Sequence, residues 1–155
     1  MNEKELKELV KKIVKEANDL KNKHTSESTA LVNYACIFSQ NEEEYKELLR
    51  VTQKMGKLIE ETKSGFLFHI KSIQTIAGVL KLLKIRIPDI TRPEQGDADF
   101  TVSDYVKFKK KYLVKPGWNL MKKREDFEML ELMDPKFDVR VYFSNPPLDQ
   151  QLGID

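Results

Sequence analysis

The side chains of this chain that could do chemistry are few and unevenly placed. Its two histidines, His24 and His69, lie far apart and show no metal-ligand spacing. His24 falls in the polar stretch from His24 to Thr29, whereas His69 alternates with Phe68 and Ile70 as on a strand, either packed there or open to a pocket. The one cysteine, Cys36, sits inside an apolar run with no acid or base alongside. A reactive thiol needs an electropositive, accessible setting, so Cys36 reads as an inert core residue. Acids gather at Asp89, Glu94, Asp97 and Asp99. Carboxylates converging on one point would suit Mg²⁺ and phosphoester chemistry. The closest lysine that could assist them, Lys107, belongs to the following helix. On a strand Asp97 and Asp99 share one face, and a salt bridge from one of them to Arg86 or Arg92 is the favoured account. Six glycines are scattered singly, so no phosphate-cradling loop exists.

Strand polarity is more informative. In LKLLKIRI, Leu83, Ile85 and Ile87 share one face while Leu82, Lys84 and Arg86 share the other. In FDVRVYF, Val139, Val141 and Phe143 oppose Arg140 and Tyr142. In FEMLELM, Glu131 lies with Met129 and Met133, opposite Leu130 and Leu132. If helices cover the aliphatic faces, the opposite faces carry Arg86, Arg140, Tyr142, Glu131 and Tyr34. A cleft lined by arginine and tyrosine suits a carboxylate or phosphate. The competing expectation is a face that is solvated or covered by a second copy.

These side chains need a scaffold, and hydrophobic spacing supplies one. Leu6, Leu9, Val10, Ile13, Val14, Ala17 and Leu20 predict an amphipathic helix over residues 1–23. Residues 30–38, ALVNYACIF, read as a strand. Asn41 caps a helix whose apolar face (Tyr45, Leu48, Leu49, Thr52, Met55, Ile59) predicts an extent to about Glu61. Two more strands follow at FLFHI and VLKLLKIRIP, and PDITRPEQG is a crossover loop. The order then repeats: DADFTV is a strand, Ser103 caps a short helix, FEMLELM and FDVRVYF are strands, and the tail from Asn145 is irregular. Short turns between the later strands of each unit demand antiparallel pairing. The result is an α+β domain with a mixed sheet and helices on one face.

Composition narrows the setting. The 155 residues are one domain's worth, 40% apolar and 34% charged, and no apolar run approaches the ~18–20 residues needed to span a bilayer. MNEKELKELVKK is too charged for a signal peptide, and a single cysteine excludes an internal disulfide, so a cytoplasmic setting is expected. With 27 basic and 25 acidic residues the net charge is +2, far from a nucleic-acid binder's excess. In YVKFKKKYLVK, residues 105–115, the aromatics fall on the side a helix buries. Neither a nucleic-acid nor a membrane partner is expected.

Over residues 28–143 the pattern resembles the vicinal-oxygen-chelate (glyoxalase) superfamily. VNYACIFSQNEEEYKELL looks like the first strand and helix of one of its modules, SGFLFHI and LKLLKIRIPD like the strands that complete it, and GDADFTVSDYVKFKKKYL like the start of a second. The helical N-terminal extension is similar to that of small bacterial YecM-type members. The resemblance implies two βαβββ modules, about 28–88 and 96–143, forming a curved mixed sheet in a single domain, residues 28–155. It also implies a divalent metal held by His and Glu on facing strands. The matching positions here are Tyr34, Arg86, Ala98 or Asp99, and Tyr142, and an arginine repels a metal.

The expectation is therefore a metal-free, cofactor-free glyoxalase-like domain binding a small anion or a protein partner. Its ligand-binding residues are set as Tyr34, His69, Arg86, Asp99, Glu131, Arg140 and Tyr142. Two alternatives stand beside it: an enzyme of that superfamily with a noncanonical metal set such as Asp99, Glu131 and His69, and a homo-oligomeric assembly protein, a homodimer for example, whose open sheet face pairs with a second copy.

Overall fold

The computed structural model describes residues 1–154. Helix α1 (Glu3–His24) is capped by the Asn2 side chain, which accepts from Glu5 N. It buries Leu6, Val10, Ile13, Val14, Ala17 and Leu20 completely. These lie against β1 (Leu31–Phe38), β3 (Gly65–Thr75), β5 (Gly96–Thr101), β8 (Val139–Asn145) and α2 (Glu42–Met55), so one apolar stripe is shared by both halves of the chain. Each buried Leu, Ile or Val is worth roughly 1.5–3 kcal/mol of burial.

The remaining elements are β2 (Gly56–Thr62), β4 (Gly78–Arg86), α3 (Tyr105–Tyr112), β6 (Trp118–Arg124), β7 (Phe127–Leu132) and the one-turn helix α4 (Leu148–Gln151). Strand, helix and three strands thus occur twice, giving two βαβββ modules and one mixed sheet ordered β2-β3-β4-β1-β5-β8-β7-β6. Within each module the first and last strands run parallel: Cys36 is opposite Lys84, and Asp97 opposite Arg140. The modules join along an antiparallel β1–β5 seam, where Tyr34 meets Asp99 and Cys36 meets Asp97. Gly96 permits the close approach there, since a Cβ would stand 2.2 Å from the Cys36 carbonyl oxygen.

Alternation assigns the two faces as the sequence predicts. Ile37, Phe68, Leu83, Ile85, Phe100, Leu130, Leu132, Val141 and Phe143 join one core under the helices. Beneath α3, Trp118 stacks on Tyr112 (5.3 Å between ring centroids) and Phe143 (5.7 Å), with Phe108 edge-on.

Three local expectations are corrected. The second helix ends at Met55 rather than near Glu61, and Gly56 opens an edge strand. Strand β2 pairs so tightly there that a Gly56 Cβ would lie 2.3 Å from the His69 carbonyl oxygen. The cap of α3 is Asp104, accepting from Lys107 N, and not Ser103. The tail forms α4 instead of remaining irregular.

Candidate functional site

The face of the sheet turned away from α1 lines a cleft of about 540 Å³. Glu60 and Thr62 of β2 and Met121, Lys123 and Arg124 of β6 all border it, although these strands are opposite edges of the sheet. Flat, the two edges would stand about 30 Å apart at ~4.8 Å per strand, so the sheet must curl round the cleft. Its floor is set by register. Lys84, Cys36, Asp97 and Arg140 lie side by side on β4, β1, β5 and β8. One row along come Tyr34, Asp99, Tyr142 and Glu131, on β1, β5, β8 and β7. Loop 87–95 roofs one end. Gln40 Nε2 pins that loop by donating to the carbonyl oxygens of Phe38 and Glu94 (2.9 Å each).

Much of this polar surface is satisfied internally. Arg140 donates from Nε to Glu94 Oε1 (2.9 Å) and from Nη2 to the Thr91 carbonyl (2.7 Å), with Glu131 Oε2 3.6 Å from Nη1. Tyr142 donates to Glu131 Oε2 (2.6 Å) and accepts from Arg92 Nη1 (3.1 Å). Arg92 also lies over the Phe38 ring, 5.3 Å from its centroid. Asp99, wholly buried, accepts from the backbone N–H of Ser144 (2.9 Å) and pairs with the Ser144 hydroxyl. Burial raises the Asp99 carboxyl to about 8 against the opposing bonds from Ser144 and Asn33.

Two residues lining the cleft carry buried atoms without a partner. Arg86 Nε is buried without a partner, and its guanidinium reaches only Asp89, 3.5 Å away. Asp97 is 6% exposed, its Oδ1 has no partner, and it forms no ion pair among the described residues. Burial pushes the Asp97 carboxyl up to about 7, although Arg92, Lys84, Arg86 and Arg140 all pull it down. Lys84, hydrogen-bonded to the Ser64 hydroxyl, is lowered by burial. Burial likewise raises Tyr34 and Cys36, so the Cys36 thiol stays protonated.

Of the residues singled out from sequence, Tyr34, Arg86 and Tyr142 line the cleft. Glu131, Arg140 and Asp99 lie beneath it in the networks just described. His69 stands apart, exposed on β3 beside Lys57 and Lys71. Lys84, Arg92 and Asp97 were not in that set, yet all three line the cleft. Lys84 and Asp97 could have been found by face alternation, since each shares a face with a residue that was chosen. Arg92 sits in an aperiodic loop and gives no such signal.

The metal that the superfamily resemblance implies does not fit these residues. An unpartnered Arg86 N–H presents a donor where a metal needs acceptors, and the carboxylates nearest it are engaged or ringed by cations. Among the described residues no group of three or more His, Cys, Asp or Glu is arranged to hold an ion.

No family model and no curated protein matches the chain. Among solved structures, a structural-genomics protein, EC4020, superposes with a TM-score of 0.71 at 11% identity, covering 93% of this chain and 87% of that one. A glyoxalase/bleomycin resistance protein/dioxygenase superfamily member from Vibrio splendidus 12B01 gives a TM-score of 0.42 at 8% identity, over 75% of this chain and 98% of that one. A glyoxalase I mutant from Zea mays gives 0.38 at 14% identity, over 76% of this chain and 44% of that one. At 11% identity the likeness to EC4020 is one of fold alone.

Proposed function

We propose that the curled sheet, built from two βαβββ modules, binds a small organic anion. Arg86 is its anchor, with Lys84 and Arg92 beside it. The observation that carries this reading is the buried, unpartnered Nε of Arg86 in a cleft bordered by Lys84, Arg86, Arg92, Lys123 and Arg124 against only Glu60 and Asp97. A buried donor left unmet costs about 1–3 kcal/mol, and a carboxylate or phosphate relieves that cost bidentately. The rest of the lining mixes hydroxyls and an amide (Thr62, Ser64, Tyr34, Tyr142, Gln151) with Leu67, Met121, Phe127, Met129, Leu148 and Leu152, and this apolar share suits an organic rather than an inorganic anion. The test is thermal stabilisation of the full chain by carboxylates, keto acids and phosphate esters. At least one class is expected to raise Tm, and Arg86→Met is expected to abolish the effect while leaving the ligand-free protein folded. The reading fails if no anion stabilises the wild type, or if the variant responds as the wild type does.

A further inference from the structure

Arg86 is one of two unmet groups in the cleft; Asp97 is the other. A carboxyl this deeply buried ordinarily accepts several hydrogen bonds, and one with none calls for an explanation. Folding does not supply it: Arg140 and Glu131, its neighbours on the floor, are engaged with other groups, and Lys84 donates to Ser64. A ligand that satisfies the cleft must therefore present an acceptor to Arg86 and a donor to Asp97 at once. A plain carboxylate meets only the first need. A keto acid adds a second acceptor and sets its lone pairs against those of Asp97. An amino acid supplies donors, but its ammonium would enter among Lys84, Arg86 and Arg92, with like charges on three sides. A hydroxyl donates without charge. Beyond these groups the cleft is bordered by Leu67, Met121, Phe127, Met129, Leu148 and Leu152, which call for an apolar body.

We propose that the ligand is a hydroxy acid with an apolar substituent, its carboxylate held by Arg86 and its hydroxyl donating to Asp97. This rests on the anion reading above and adds the hydroxyl and the apolar group to it. The test is calorimetric titration of the full chain at pH 8 with 3-phenyllactate, 3-phenylpropanoate and phenylpyruvate, which share a skeleton and a carboxylate. The hydroxy acid is expected to bind about tenfold or more tighter than either analogue, the scale of one hydrogen bond to a charged group. Asp97→Ala should shrink that gap to under about threefold while still binding 3-phenylpropanoate. Arg86→Met should weaken all three acids. Equal binding of the three by the wild type, preference for the keto acid, or a gap that survives in Asp97→Ala would overturn the hydroxyl assignment and leave the anion reading standing. Failure of the wild type to bind any of them, or undiminished binding by Arg86→Met, would overturn both. The wild-type comparison decides the matter even if Asp97→Ala does not fold.

Discussion

The closing strand of each module, β4 and β8, carries an arginine on the concave face of the sheet. In the second module Arg140 is tied down: Glu94 and the Thr91 carbonyl each take one of its N–H groups, and Glu131 lies alongside. In the first module Arg86 keeps an unmet N–H and touches only Asp89. The same side chain in the same kind of strand is held by three groups in one half and by one in the other. Neighbours decide the difference. Strand β7 brings Glu131 beside β8, whereas β3, which occupies the corresponding place beside β4, brings Leu67 opposite Lys84 and Gly65 opposite Arg86. A repeated architecture can thus divide its labour through a handful of acids.

The sharpest way to break this comparison is to remove each arginine in turn. Arg140→Met strands the half-buried Glu94 and leaves the buried Glu131 with only Tyr142, and is expected to cost about 3 kcal/mol in urea unfolding, or on the order of 10 °C in Tm. A loss below about 1 kcal/mol would show that Arg140 is as free as Arg86.

Asp97, placed between the two arginines, comes next. It faces Tyr34 and Cys36 on β1, Lys84 and Arg86 on β4, Arg92 from the loop, Arg140 and Tyr142 on β8, and Asp99 on its own strand. Its folded value, about 7, lies above the ordinary 3.8. The folded state therefore holds the proton more tightly. The stability this confers is fully present below the unfolded value and is lost as pH rises through the folded one. Asp97→Asn removes the loss. It should be more stable than the wild type at pH 8 by on the order of 2–4 kcal/mol and no different near pH 4. Parallel stability curves across that window would mean that the carboxyl is better solvated than its burial indicates.

Tyr142→Phe deletes one bond to Glu131 and one from Arg92 and should cost about 1–2 kcal/mol while anion binding persists. Loss of anion binding in this variant would make Tyr142 a part of the site rather than its support. Arg86→Met should have the smallest effect on the ligand-free protein, because losing the Asp89 ion pair and removing the unmet Nε donor act in opposite directions. A large loss would turn Arg86 into scaffold as well.

The sheet faces were legible because LKLLKIRI and FDVRVYF alternate in residue type, and their aliphatic members Leu83, Ile85, Val139, Val141 and Phe143 all join the core under the helices. Strand β2 was not, since KLIEET is an exposed edge whose Ile59 continues the spacing of the helix before it. Only the pairing with β3, a tertiary event, overrides that pattern. The site was half legible for a similar reason. Arg86 and Tyr142 declare themselves by alternation, but the acceptors of Arg140 do not. Glu94 and Thr91 reach it from a loop whose course depends on Gln40 and on prolines with no period. His69 shows the converse: it alternates correctly onto the cleft side of β3, yet lies too far along the strand to border the cleft.

Trp118, the only tryptophan of the chain, is clamped among Tyr112, Phe108 and Phe143, all of the second module. Its fluorescence is accordingly a private signal from that half, while amide circular dichroism sums both. Joined along β1–β5 and bridged by α1, the two modules should lose both signals in a single step during denaturation. A fluorescence change that runs ahead of the dichroism would reveal the second half opening by itself, so the indole ring gives an optical measure of how firmly the seam couples the two modules.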